Sequence, residues 1–255
     1  MATKTTHPSY PNPTVVEALC EVHFRLPPEK PWKASLPGEF FKCIQDDYPE
    51  MEPLQEMGLQ FEIGPLGLGQ KILPPRPRMR FKHASRPLLV QLAENVLTVN
   101  VLAPYPGWDT MHRDVLDVWR RAEEVLEPLA ITRIGLRYIN RIERKSAEDH
   151  PGDWLRANEY MAPVVLRSAP AFLSRVEAHL DTENRIIVTL GDQPPAETGG
   201  YGAIIFDIDR IIERELPPEQ NVLSSEMNRL HEHVWQVFVS AKGDKLERLL
   251  KGKRP

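Results

Sequence analysis

Residues 15–26 read Val15-Val16-Glu17-Ala18-Leu19-Cys20-Glu21-Val22-His23-Phe24-Arg25-Leu26. Val16, Ala18, Cys20, Val22, Phe24 and Leu26 fall on one side of an extended chain, and Glu17, Glu21, His23 and Arg25 on the other. Successive Cβ atoms of a strand point to opposite faces, so this period of two predicts a strand with one buried and one wet face. Pro27-Pro28 ends it, because proline has no N–H for a ladder. The alternation returns at 131–143, with Ile134, Leu136, Tyr138 and Ile142 on one side and Arg133, Arg137 and Arg141 on the other.

Between and after these two strands the period changes. Met111, Val115, Val118, Trp119, Ala122 and Val125 recur at helical spacing over 108–126, and Pro128 stops that helix. A shorter helix is expected over 36–48 and a helical turn over 152–160. A last helix begins near Ser224 or Ser225, both good N-caps, carries Met227, Leu230, Val234, Trp235 and Phe238 inward, and breaks at Gly243. Further strands are expected at 59–63, 79–83, 88–93, 96–102, 174–180, 185–190 and 201–209. Glu94-Asn95 and Asp181-Thr182-Glu183-Asn184 make the hairpin turns, since Asn tolerates positive φ. Residues 64–77 and 191–200, rich in Gly and Pro, read as loops.

The order strand, helix, strands, long helix therefore occurs twice, in halves 1–128 and 129–255, with leading strands offset from Val15 to Thr132. The predicted fold class is α+β: a largely antiparallel sheet with helices on one face, built from two β-α-β(n)-α halves in one compact unit.

Composition narrows the function. Apolar residues make up 41% and charged residues 27% of 255, ordinary values for a globular chain that needs no staple. The two cysteines, Cys20 and Cys43, form no disulfide framework and no zinc-ligand spacing, which suits a reducing, cytoplasmic setting. The N-terminus lacks the apolar stretch of a signal peptide, and no apolar run is long enough to span a bilayer. Residues 1–128 carry 14 Lys and Arg against 17 Asp and Glu, and the remainder 18 against 19, so neither half is a basic nucleic-acid footprint.

Several stretches carry a resemblance. Tyr10-Pro11-Asn12-Pro13 with Val16-Glu17-Ala18, Tyr105-Pro106-Gly107-Trp108, Arg133-Ile134-Gly135-Leu136-Arg137-Tyr138-Ile139-Asn140-Arg141-Ile142, Phe206-Asp207-Ile208-Asp209 and Leu230-His231-Glu232 stand in this order. Together they resemble a sporadically distributed, uncharacterised family of bacterial proteins of about this length. The resemblance implies no activity. Its patchy distribution is associated with defence and mobile-element genes.

The chemical candidates each have a plain alternative. Asp207 and Asp209 share one face of a strand and would suit a divalent metal for phosphoryl transfer. Cross-strand pairing with Arg137 and Arg141 explains the same residues without a metal. His231 and His233 lie two apart on a helix, about 200° around it, so they do not share an ion. His23 with Glu17 and Glu21 suits acid–base work or a polar sheet face. Residues 76–83, with Arg76, Arg78, Arg80, Lys82 and Phe81, would grip a phosphate backbone or protect an edge strand. The glycines at 64–69 and 199–202 do not form a phosphate loop.

These features favour a non-enzymatic binding or regulatory protein, in the setting that the resemblance implies, whose first expected partner is a protein. Arg133, Arg141, Arg76, Arg78, Arg80 and Lys82 are the expected contacts, with Arg137 structural. A nucleic-acid binder using the same basic face is the second reading. A metal-dependent nuclease centred on Asp207 and Asp209 is the third. No cofactor, no resident metal and no membrane are expected.

Overall fold

The computed structural model describes residues 7–64, 67–146, 148–168, 171–195 and 200–253, with the backbone alone over 55–64 and 67–76. The first half runs β1 (Val15–Arg25), α1 (Leu36–Ile44), β2 (Glu50–Gly64), β3 (Gly67–Lys82), β4 (Leu88–Ala93), β5 (Val96–Leu102) and α2 (Trp108–Leu126). The second runs β6 (Ala130–Glu143), α3 (Pro151–Trp154), α4 (Pro163–Leu166), β7 (Leu173–His179), β8 (Asn184–Gln193), β9 (Ala203–Leu216), α5 (Gln220–Ala241) and α6 (Asp244–Leu250).

All nine strands join one sheet in the order β2-β3-β4-β5-β1-β6-β9-β8-β7. Every neighbouring pair is antiparallel. The fold is therefore α+β with an antiparallel sheet. From the central β1–β6 pair, each half lays its remaining strands outward in reverse chain order, β5-β4-β3 on one side and β9-β8-β7 on the other. The first half adds β2 at its margin.

The alternation of β1 sets which face is dry. Cys20 stands between Val99 of β5 and Leu136 of β6, and Val22 between Leu97 and Ile134. All six are buried. Over them lie Met111, Val115 and Trp119 of α2 and Met227, Leu230 and Val234 of α5, so one apolar cluster draws on both halves. Trp119 satisfies its indole N–H on Pro218 O at 2.8 Å. Among the described residues no helix is long and apolar enough to cross a membrane.

Four expectations need correction. Residues 64–77 are not a loop: outside 65–66 they belong to one long β2–β3 hairpin, of which the expected strands at 59–63 and 79–83 are only parts. The prolines misled because β3 pairs with β4 only over Met79–Lys82, which leaves the rest of its second edge free of ladder demands. Helix α5 starts at Gln220 rather than at Ser224, and the Ser224 hydroxyl lies 3.1 Å from His112 Nε2. Trp235 is only partly buried, stacked on His7 with ring centroids 4.5 Å apart. Val16 is half-buried, beside a register shift between Val15 and Glu17.

Candidate functional site: the helix-free sheet face

The second face of the sheet carries the polar half of each alternating strand. The register sets Arg80 opposite Gln91, Gln91 opposite Thr98, Thr98 opposite Glu21 and Glu21 opposite Gly135. On the far side Arg137 faces Asp209, Asp209 faces Ile187, and Ile187 faces Glu177. No described helix covers these positions. Leu19, Leu89, Leu102, Ile139 and Ile205 share the face and are half-buried, so it is a mosaic of charges and aliphatic side chains.

Its charges form a ladder of alternating sign. Arg78 of β3 reaches Thr98 Oγ1 at 3.3 Å and Glu21 of β1 at 3.9 Å. Glu21 is held by Arg133 of β6, which reaches Glu213 of β9 at 3.4 Å. Glu213 meets Arg185 of β8 at 3.0 Å, Arg185 meets Glu177 of β7 at 3.1 Å, and Glu177 meets Arg175 at 3.4 Å. His23 Nε2 lies 2.7 Å from Glu21 Oε1. Burial pushes the Glu21 carboxyl up, but His23 and Arg133 outweigh it and hold the group down at about 2.

Beside the ladder lies the Asp-x-Asp pair. Asp207, 7% exposed, receives a two-pronged bond from Arg137, Nε at 2.9 Å and Nη2 at 2.6 Å. That bond raises the guanidinium's pKa against the opposing effect of its own burial. Asp209 receives no hydrogen bond and no ion pair among the described residues. Burial drives its carboxyl up to about 6, even though Arg137 and Arg133 pull the other way. Beside it stands Gly135, which has no side chain. A Cβ added at Gly135 would sit 3.9 Å from Asp209 Oδ1, from Arg133 Nη2 and from Glu21 Cβ.

The other candidates divide. Arg80 and Lys82 both hold Glu52, and Lys82 also meets Glu50 at 3.4 Å. Arg141 bonds Gln193 at 2.9 Å and Glu143 at 2.7 Å. The side chain of Arg76 lies outside the described residues. Among the described residues no three His, Cys, Asp or Glu side chains come together as a metal site would require. His231 stacks on Trp108 at 3.9 Å, and burial lowers its pKa to about 3. His233 instead accepts a bond from Arg210 Nε at 2.7 Å.

Arg210 is the residue that the sequence reading missed. It stands on the dry side of β9, 7% exposed, and among the described residues it bonds His233, Asn184 Oδ1 and the carbonyls of Arg185 and Ile211, none of them a carboxylate. Its burial, with Arg229 nearby, lowers its pKa. The signal was present, since Arg210 follows Phe206 and Ile208 in the dry-side alternation.

No protein-family model matches the chain, and it has no match among the curated proteins.

Proposed function

We propose that this chain is a non-enzymatic binding protein whose helix-free sheet face receives a protein partner. One observation carries the reading. The described arginines of that face and Lys82 already hold carboxylates, while the Asp209 carboxylate has no partner at bonding distance among the described residues. A nucleic-acid backbone would have to displace those carboxylates one by one, each an opposing charge to its phosphates. A protein surface meets the mosaic as it stands: its apolar side chains cover Leu19, Leu89 and Ile139, and a basic side chain reaches Asp209, which is only partly buried. The bidentate hold of Arg137 on Asp207 also speaks against a metal role for that carboxylate. The resemblance suggests a bacterial host and a defence or mobile-element setting for the partner.

The test is site-specific photo-crosslinking in cells, with the probe at Leu19, at Ile139, or at exposed Gln236 on α5. Capture of one protein from both face positions, lost in Asp209→Lys and absent from Gln236, is the expected result. Capture of nucleic acid from the face, or of partners from Gln236 only, would overturn the reading.

A further inference from the structure

We propose that β7 pairs with β7 of a second copy of this chain, antiparallel about a two-fold axis at Val176, so that two nine-stranded sheets join edge to edge.

The two margins of the sheet are built differently. β2 carries Pro53, which has no N–H to offer, and its pairing is irregular between Glu56 and Gly58. Both features blunt an edge. β7 is a seven-residue strand, Leu173-Ser174-Arg175-Val176-Glu177-Ala178-His179, with no proline, no glycine and an unbroken register against β8. No other described element hydrogen-bonds to its outer backbone.

The orientation of that backbone follows from the hairpin. Leu180 N–H donates to Asn184 O at 2.8 Å, which makes the 180/184 pair a hydrogen-bonded one. Such pairs alternate along an antiparallel ladder, so Ser174, Val176 and Ala178 turn their N–H and C=O groups to β8. Leu173, Arg175, Glu177 and His179 turn theirs outward. A second strand can therefore dock only where these four residues oppose their own kind.

Charge then selects the register. Centred on Val176, Arg175 faces Glu177 of the second copy and Glu177 faces its Arg175, while Leu173, 77% exposed, faces His179. The hydrogen-bonding parity is satisfied at all four positions, giving about eight interchain backbone bonds. Centred on Arg175 or on Glu177, the same parity holds but like charges meet, which disfavours both registers. The strand is complementary to itself in one register, as an isologous contact requires.

The expected dimer is weak, because the paired edge is short, with dissociation in the range of about 10–100 µM. Sedimentation of the full chain across that range should show a monomer–dimer equilibrium. Arg175→Glu and Glu177→Arg should each weaken it about tenfold or more. Arg175→Glu/Glu177→Arg should restore it, and mixing the two single variants should give a heterodimer, because every cross-strand pair is then opposite in sign. Circular dichroism and thermal unfolding confirm that each variant is folded. Arg175→Pro supplies a variant independent of charge: it removes an outward N–H that β8 does not use, and should also dissociate the dimer. A monomer at all concentrations, or a dimer indifferent to the charge swap and its rescue, would overturn the proposal.

Discussion

Arg137 and Asp207 show how one residue is fixed by another 70 positions away. Because Asp207 is buried, removing its partner leaves a charge without compensation, and Arg137→Ala should lower stability by about 2 kcal/mol in urea unfolding. Arg137→Met with Asp207→Leu should recover much of that loss, since replacing both members of the pair leaves no orphaned charge at the buried Asp207 position. Asp209 behaves in the opposite sense to a paired acid. Its carboxyl ionises near 3.8 when unfolded and about 6 when folded, so between those values the folded chain binds more protons and loses stability as pH rises. Asp209→Asn should therefore stabilise by about 1–2 kcal/mol above pH 6, after allowance for solvent screening, and by nothing below pH 4. For Glu21 the sign reverses: its folded value, about 2, lies below the ordinary 4.5, so it stabilises above pH 4.5. Thermal melts across pH should show Glu21→Gln less stable than the parent at pH 7 and converging with it toward pH 2.

The elements respond to their surroundings more than to their own composition. Gly202 precedes β9 at φ +73°, and an added Cβ would clash with Gln193 O. Gly202→Ala should cost about 2 kcal/mol or more, measurable as a lower Tm with the folded spectrum retained. The long β2–β3 hairpin makes the same point. Its prolines read as a loop in the sequence, and they are tolerated because most of β3 has a ladder on one side only. In α5, Ser224 looks like a cap, yet Pro217-Pro218 and the end of β9 at Leu216 let the helix begin earlier, at Gln220. By contrast α2 runs over Trp108–Leu126 as its spacing predicts, because its apolar stripe and the following Pro128 are local signals.

At the scale of the whole molecule, β1 and β6 pair along nearly their full length, and both halves feed one apolar cluster. Unfolding should therefore be a single transition, with tryptophan fluorescence and circular dichroism superimposed; separated transitions would mean that the halves melt independently. Phe24→Ala, buried in that cluster, should cost about 3–5 kcal/mol. Trp235→Ala should cost less, because its ring is only partly buried against His7 and Tyr10. The sequence by itself determined the faces of β1 and β6, the long helix α2, the hairpin turns and the α+β class, because side-chain period and backbone preference are set within a few residues. It also offered Asp207 and Asp209 as partners of Arg137, but could not choose between them. The register of β6 against β9 set Arg137 opposite Asp209, yet its guanidinium reaches diagonally to Asp207 and leaves Asp209, beside Gly135, without a bond among the described residues. The strand order alone decided that β7 would be an edge. These are distances between residues far apart in the chain, and only the closed sheet sets them.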